Sequence, residues 1–439
     1  MNRLPPGPAS GLFATLEMLR DPFGVLTRCE KKYGDTFTFS TPMQGPIVVT
    51  GALAGIREIF GANPDVYSSN AAKIMGPILG DGSVLILEGT AHRRARKLLA
   101  PPFHGDRMRA HGHLMRDVTL ERSAALTPGV KFVVQDIAQA ISLDIILQTI
   151  FGVRGSERMA RFDRAVRELM GSLGPFITFS FMRHSFGGIG PWAKFLRRRA
   201  NLVALVNEEI ADRRAHDSPR EDILSMLLAA RYDDGAAMTD AHVFDQLLTL
   251  VAAGHETSTI TTAWVFHWLH RHPDVLERVT AEIDSLGRDA DPDAISRLPY
   301  LEAVLQETLR LYPVVPVASR LLNQPFELMG HTLPAGVSVG AATGLVHYRE
   351  DIYPEPTRFR PERFVGKTYG PTEYFPFGGG ARRCLGASFA MYEAKVVLAT
   401  LLRTIRVRAF DDKPVPPAMR AAGVGPGRDV KMVVTERRV

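Results

Sequence analysis

The apolar positions of the chain fall mostly at three- and four-residue spacing, the period of one face of an α-helix. From about Glu88 onward this spacing dominates, so the pattern predicts a mainly α-helical protein. The helices are predicted over Asp136–Phe151, Trp192–His216, Asp240–His270, Pro299–Leu311 and Leu385–Leu402.

Short stretches rich in aromatic and β-branched residues predict a few β-strands near the two ends of the chain. Thr36–Ser40 (TFTFS) and Ile47–Thr50 flank a predicted turn at Pro42–Pro46. Two more strands are predicted near Ile405–Phe410 and Val430–Thr435. The fold class is therefore mainly α with small β-sheets.

The chain of 439 residues has no internal repeat, low-complexity tract or long Gly/Ser linker, so we expect one domain over residues 1–439. Hydrophobic residues make up 45% of it, which is enough to build a sizeable core. A Pro-rich stretch, Pro354–Pro376, interrupts the helical pattern and calls for a functional explanation.

Charge and cysteine content narrow the class of protein. The two cysteines, Cys29 and Cys384, lie far apart and outside C-x-x-C spacing, so neither a disulfide framework nor a zinc motif is indicated. We identify no signal peptide and no run of roughly 20 apolar residues for a membrane span. The net charge of +6 comes without a nucleic-acid motif, so an acidic protein is the expected partner and nucleic acid is not. A reducing cytoplasm fits these features best.

The strongest chemical signal is the segment Phe377–Gly386, FGGGARRCLG, directly before a predicted helix. Three consecutive glycines let the backbone run close to a flat ligand. Cys384 stands near the helix N-terminus and beside Arg382 and Arg383, and positive charge there stabilises a thiolate. A lone cysteine is more commonly buried and inert, but the surrounding pattern favours a reactive sulfur.

This segment resembles the haem-binding signature F-x-x-G-x-R-x-C-x-G of the cytochrome P-450 family. Every position matches, at Phe377, Gly380, Arg382, Cys384 and Gly386. The resemblance implies the family fold, a helical triangular prism that encloses haem b (iron protoporphyrin IX). It also implies that Cys384 ligates the haem iron, that Phe377 packs near the sulfur, and that Arg382 reaches a propionate.

A second motif is Glu307-Thr308-Leu309-Arg310, in which a carboxylate and a guanidinium share one helix face. Alone, such a pair is usually a surface ion pair of little energetic weight. It resembles the family's E-x-x-R motif, and Arg363 in Pro361-Glu362-Arg363-Phe364 is expected to complete a structural network with Glu307 and Arg310.

A third motif, Ala253-Gly254-His255-Glu256-Thr257-Ser258, lies within the longest predicted helix and resembles the family's oxygen-activation motif. A glycine inside a helix costs about 1 kcal/mol relative to alanine, and a threonine hydroxyl can bond a preceding carbonyl. Together the glycine and the threonine can open a pocket for dioxygen. By the resemblance, Thr257 hydrogen-bonds to the dioxygen, Glu256 helps relay protons, and Ala253 and Gly254 are candidate cofactor-binding residues. An ordinary helix with a tolerated glycine is the alternative.

Haem propionates need cationic partners. His92 and Arg96 are four residues apart in a predicted helix, so both can face one ligand. Many relatives have Trp where this chain has His92, although soluble bacterial members also depart there. Arg320 resembles another propionate-binding position, with a solvated surface arginine as the alternative.

Arg93, Arg94 and Lys97 of the same predicted helix are candidates for steering an acidic electron donor. A plain solvated face is the alternative. No flavin- or ferredoxin-like module is attached, so electrons are expected from a separate ferredoxin or flavodoxin-like protein with its NAD(P)H reductase.

The family resemblance places the substrate pocket in segments that carry mainly apolar side chains, which implies an apolar substrate such as a fatty acid, terpenoid or steroid. Some of these side chains will simply be core. The candidate pocket residues are Ile74, Leu79, Phe176, Phe179, Leu250, Val314, Val315, Val317 and Val424.

The resemblance implies a monooxygenase that hydroxylates or epoxidises its substrate with O₂. A peroxygenase using hydrogen peroxide is one alternative, but it normally lacks the pair formed by Glu256 and Thr257. A haem protein that senses or carries a ligand without turnover is the other, and it would need only the loop around Cys384.

Overall fold

The computed structural model describes residues 4–8, 11–41, 45–69, 72–103, 105–153, 155–173, 182–185, 187–216, 220–287, 289–420 and 423–438. The chain divides into two compact units. The larger unit comprises Met1–Tyr67, Met108–Ser142 and Glu256–Val439, and the smaller unit comprises Ser68–Arg107 and Leu143–His255.

Helices account for most of the regular structure, in agreement with the hydrophobic spacing. In chain order they are α1 Gly11–Arg20, α2 Pro22–Tyr33, α3 Leu53–Gly61, α4 Ala72–Leu79, α5 Gly89–Leu99, α6 Gly105–Arg109, α7 Gly112–Ser123, α8 Val134–Phe151, α9 Ser156–Met170, α10 Pro191–Ala215, α11 Ile223–Ala229, α12 Asp240–Leu269, α13 Pro273–Asp284, α14 Pro292–Ser296, α15 Pro299–Leu311, α16 Thr343–Val346 and α17 Ala387–Thr404.

The strands are short. They are β1 Thr36–Thr41, β2 Gly45–Thr50, β3 Tyr67–Ser68, β4 Lys131–Val133, β5 Ala318–Leu322, β6 Phe326–Leu328, β7 His331–Leu333, β8 Ser338–Ala341, β9 Ile405–Ala409, β10 Pro417–Met419, β11 Val424–Pro426 and β12 Lys431–Arg437. A five-stranded sheet has the order β1-β2-β8-β5-β3, a three-stranded sheet has the order β4-β12-β9, and β6-β7 and β10-β11 form two-stranded sheets.

The five-stranded sheet buries apolar side chains on both faces, because successive side chains of a strand point to opposite sides. In β2, Ile47 and Val49 pack in one cluster with Leu26 of α2. Val48 lies between them in sequence and packs in the other cluster with Ile56 of α3. The sheet thus holds α3 in place, and α3 supports the loop before α17.

All five predicted helices and all four predicted strands are present, with ends that differ by a few residues. β1 and β2 pair antiparallel with Thr36 opposite Thr50. The Pro-rich stretch between Pro354 and Pro376 is irregular apart from one 3₁₀ turn at Pro361–Phe364. The helix predicted around His92 and Arg96 is α5. The other helices were not predicted, and neither were strands β3 to β8, β10 and β11.

One helix, α8 (Val134–Phe151), is long and apolar enough to cross a membrane by length and composition, among the residues described. However, 67% of it is buried inside the protein, and the core helix of a globular protein passes the same test. We therefore do not assign α8 as a membrane span.

Candidate active site

The loop Phe377–Gly386 folds tightly against α3. Gly378 and Gly380 have φ values of +68° and +64°, in the left-handed region that glycine adopts without strain. A Cβ atom on Gly379 would collide with the ring of Phe60, and one on Gly380 would collide with the Phe60 carbonyl oxygen. The run of glycines is therefore required by both backbone conformation and close packing.

Cys384 is exposed and stands just before the N-terminus of α17. Its N–H donates to the Phe377 carbonyl oxygen at 2.9 Å, which closes the loop into a compact hairpin-like turn. Gly386 is the N-cap residue of the 18-residue helix α17, so the sulfur lies near the positive end of the helix dipole. The position favours the thiolate form of Cys384.

Two arginines converge beside this loop. Arg320 of β5 donates to the Gly379 carbonyl oxygen at 3.2 Å and to the Ser319 carbonyl oxygen at 2.8 Å. Burial, and after it the nearby charge of Arg382, lower the pKa of Arg320 to about 10. The like charges of Arg320 and Arg382 disfavour each other, so an anion placed near both would stabilise them. The cations and the glycine cradle thus fit a flat group that carries carboxylates, as haem does.

In α5, the predicted propionate ligands lie on the inner face of the helix. His92 is buried together with Ala95 and Leu99, and Arg96 is half-buried. These positions follow the four-residue helical period that the sequence suggested. His92 and Arg96 therefore lie on the same, inner face of α5, whereas Arg93 and Lys97 are exposed.

The α12 motif lies in a continuous helix of 30 residues. A Cβ on Gly254 would come within 2.9 Å of Ile146 of α8, so this glycine permits close helix packing within the smaller unit. Ala253 is exposed, whereas Glu256 and Thr257 are half-buried. The Thr261 hydroxyl donates to the Thr257 carbonyl oxygen at 2.9 Å.

Glu393 of α17 was missed by sequence reasoning. It is 3% exposed, and the Ser258 hydroxyl donates to its Oε2 at 2.9 Å. Burial raises the pKa of Glu393 to about 7, although the Ser258 bond opposes the rise. A buried carboxyl thus joins the helix that follows Cys384 to the residue that follows Thr257. A glutamate among the apolar positions of α17 was the available signal.

The predicted Glu307–Arg310–Arg363 network is assembled in the larger unit. Glu307 and Arg310 are both fully buried and form two contacts, Arg310 Nε to Oε2 at 2.6 Å and Nη2 to Oε1 at 2.9 Å. Arg363 Nε lies 3.3 Å from Glu307 Oε1, and the Arg360 N–H donates to the same oxygen at 2.9 Å. The carboxylate therefore holds the Pro-rich segment against α15.

His347 extends this network to the cysteine loop and was also missed. Arg310 Nη1 donates to the His347 carbonyl oxygen at 2.6 Å, and the ring Nδ1 lies 3.1 Å from the Arg310 carbonyl oxygen. The Phe375 N–H donates to the ring Nε2 at 3.1 Å, so Nε2 is the unprotonated nitrogen. Burial, with Arg310 nearby, lowers the pKa of His347 to about 3, which keeps the ring neutral.

The candidate pocket residues are distributed over both units. Leu79 is buried and Leu250 half-buried in the smaller unit. In the larger unit the Val424 N–H donates to the Val314 carbonyl oxygen at 2.7 Å, and both side chains are buried. Val317 is half-buried and Val315 is 45% exposed. Phe176, Phe179 and the side chain of Ile74 lie outside the described part of the chain.

Comparison with known proteins points to the same family as the sequence of the cysteine loop. A family profile described as cytochrome P-450 matches residues 3–429. Cytochrome P-450 135B1 of Mycobacterium tuberculosis is 36% identical over 439 residues, which cover 99% of this chain and 92% of that protein. Cytochrome P-450 138 of the same species is 34% identical over 414 residues, covering 91% and 89%.

A solved structure of similar fold agrees with this family assignment. Retinoic acid-bound cyanobacterial CYP120A1 matches with a TM-score of 0.84 at 25% identity, covering 99% of each chain. Fold and sequence together define a haem monooxygenase, an oxidoreductase with haem b as its cofactor. The chain belongs to the cytochrome P-450 family.

The buried network yields a stability prediction. Glu307→Gln should lower the free energy of unfolding by roughly 3–5 kcal/mol, because it leaves two buried guanidinium groups without their carboxylate. Urea unfolding followed by circular dichroism measures the loss. The matched control is Asp351→Asn, which removes the exposed pair with Arg349 (2.9 Å) and should cost about 1 kcal/mol or less. Equal losses in the two variants would contradict the assigned role of Glu307.

Glu393 yields a pH prediction. Its folded pKa of about 7 lies above the ordinary value of 4.5, so the folded state holds the proton more tightly than the unfolded state. The Glu393 contribution to stability is therefore most favourable below pH 4.5 and is lost as the pH rises to 7. Relative to Glu393→Gln, the wild type should lose about 3 kcal/mol over that window, at 1.36 kcal/mol per pKa unit. Urea unfolding across the window measures this, and a pH-independent difference would refute it.

Proposed function

We propose that this monooxygenase hydroxylates or epoxidises an apolar organic substrate, a fatty acid, terpenoid or steroid, with Cys384 as the proximal haem ligand. The observation that carries the proposal is the loop Phe377–Gly386, where an exposed cysteine at a helix N-terminus adjoins the pair Arg320 and Arg382. We further propose that the protein works in the cytoplasm.

Residues of the chain would hold haem in three ways. Cys384 supplies a thiolate to the iron, and Gly379 and Gly380 let the backbone approach the macrocycle. Arg320, Arg382, His92 and Arg96 pair with the propionates. When bound, haem supplies the reductive cleavage of O₂ and the insertion of one oxygen atom into substrate, which a thiolate ligand favours.

Side chains of α12 serve proton delivery. The Thr257 hydroxyl holds a proton toward dioxygen, and the Glu256 carboxyl replaces that proton. The family takes its electrons from a redox partner. We propose a separate ferredoxin or flavodoxin-like donor with its NAD(P)H reductase for this chain.

Two observations support the proposed substrate class. The described pocket candidates are all aliphatic, which suits an apolar ligand. They are Leu79, Leu250, Val314, Val315, Val317 and Val424. The similar cyanobacterial protein binds retinoic acid, an isoprenoid carboxylic acid. Amphiphilic carboxylates of the terpenoid and fatty-acid classes are therefore the first substrates to test.

Labelled oxygen tests the reaction class. With ¹⁸O₂, an NAD(P)H-dependent reductase and donor, the product should carry one ¹⁸O atom. Product that forms only with hydrogen peroxide, and carries no label from ¹⁸O₂, would instead support the peroxygenase alternative.

The ligand assignment predicts a spectral change in Cys384→Ser. The ferrous carbon monoxide complex of the wild type should show the red-shifted Soret band of thiolate ligation, because the sulfur donates electron density to iron. The variant should lose that band. Cys29→Ser, which changes a buried cysteine of α2, is the matched control and should keep the band. A thiolate spectrum in Cys384→Ser would exclude Cys384 as the ligand.

Proton delivery predicts uncoupling in Thr257→Ala. Oxidation of NAD(P)H should continue while the yield of product per NAD(P)H falls about tenfold or more, and hydrogen peroxide accumulates, since a positioned proton donor is worth roughly 10² to 10⁴ in rate. Thr261→Ala is the control one helical turn away, because it removes a hydroxyl that bonds the Thr257 carbonyl and has no assigned role in proton delivery. Full coupling in Thr257→Ala would count against the role.

A further inference from the structure

The outer face of α5 is covered by an acidic turn. Arg94 Nη2 lies 2.6 Å from Asp234 Oδ2, and Lys97 Nζ lies 2.6 Å from Asp233 Oδ1. Both aspartates belong to the segment 232–236, which we call the acidic turn. Two of the three cations that the sequence suggested for donor steering are therefore already paired within the smaller unit.

The acidic turn is held in shape by its own bonds. The Tyr232 N–H donates to the Ala236 carbonyl oxygen, and the Gly235 N–H donates to the Tyr232 carbonyl oxygen, both at 2.9 Å. Gly235 has a φ of +82°, which glycine tolerates. Arg94 also lies over the Tyr232 ring at 4.5 Å from its centroid. The carboxylates are thus presented to α5 by a preformed turn.

The two ion pairs are weak enough to be exchanged. The side chains of Lys97 and Asp233 are 68% and 75% exposed, and those of Arg94 and Asp234 are 40% and 56% exposed. Pairs of this kind add little to stability and are screened by salt. A protein that presents several carboxylates to α5 can therefore displace Asp233 and Asp234 at little cost in stability.

We propose that the acidic turn is an internal competitor for the acidic electron donor on α5, so that the donor docks by displacing Asp233 and Asp234 from Lys97 and Arg94. The proposal rests on the proposed function, which assigns the inner face of α5 to the haem through His92 and Arg96. If His92 and Arg96 hold the haem, a donor on the outer face of α5 would be close to the cofactor. The turn acts as a filter, because a partner with few carboxylates does not displace it.

The exchange has a distinctive salt signature. When a donor replaces the carboxylates of the turn, two ion pairs break and two form, so those charges contribute little to the salt dependence of docking. If the turn is neutral, docking creates two new ion pairs. Removing its charge should therefore tighten docking at low salt and make its salt dependence steeper.

The test uses the haem-loaded full chain and a reduced acidic [2Fe–2S] ferredoxin. The rate of the first electron transfer, read from the ferrous carbon monoxide spectrum against ferredoxin concentration, gives the apparent Kd at low and high salt. Asp233→Asn with Asp234→Asn keeps the turn, because asparagine is also a good turn residue. We expect its Kd to be about twofold to thirtyfold lower at low salt, the range that two exposed pairs provide.

A matched control has the same change in net charge. Asp163→Asn with Glu208→Gln removes the half-buried carboxylate of Asp163 in α9 and the exposed carboxylate of Glu208 in α10, which pair with Arg167 at 2.8 Å and with Arg161 at 3.0 Å. This control should change the Kd much less than the turn variant does. Adding the turn substitutions to Arg94→Gln with Lys97→Gln should give no gain, because the competed cations are gone.

Equal effects of the turn variant and the charge control would overturn the proposal. A second probe separates it from the proposed function. Fluorescein-labelled poly-L-glutamate, measured by anisotropy, reports on access to α5 without electron transfer. If the ferredoxin reduces neither wild type nor variants, the assigned donor class fails, and the polyglutamate measurement alone decides whether the turn covers the cations.

Discussion

The buried contact between Glu307 and Arg310 is the interaction on which the chain leading to the cysteine loop depends. Both side chains have no exposure to solvent, so neither charge keeps its water. A charge in that position is tolerated only when its partners satisfy it fully, because removing one partner leaves an uncompensated ion in a medium of low dielectric. The surrounding backbone is therefore constrained to supply those partners.

The partners of Glu307 and Arg310 connect them to the chain that precedes the cysteine loop. The Arg360 N–H and Arg363 bring the Pro-rich segment to Glu307. On the other side, Arg310 holds the His347 backbone, and the His347 ring accepts the Phe375 N–H two residues before Phe377. Hydrogen bonds in such a network support one another in a dry interior. The irregular chain before Cys384 is thus held in place by buried hydrogen bonds, although it has little regular secondary structure of its own, and the proposed role of Cys384 as a metal ligand requires such rigidity.

Periodic features of the fold were predictable from the sequence, and features that join distant segments were not. The helix Pro299–Leu311 was predicted at both ends, because proline starts it and its apolar spacing continues to Leu311. The motif residues Glu307, Arg310 and Arg363 were predicted through family resemblance. His347 and Glu393 were missed because their roles arise from contacts with residues distant in sequence. The partner of His347 is 28 residues away, and the partner of Glu393 is 135 residues away. For the same reason the sequence suggested an open basic face on α5, where Asp233 and Asp234 pair with two of its cations.

The central claim is that an apolar molecule binds beside a haem held by the cysteine loop. The most direct test is a spectral titration of the haem-loaded ferric protein with fatty acids, terpenoids and steroids, including retinoic acid. The account predicts a saturable shift from low-spin to high-spin iron with at least one of these classes, as the ligand displaces water from the iron. A fully loaded protein that shows no shift with any of them would contradict the claim of an apolar substrate.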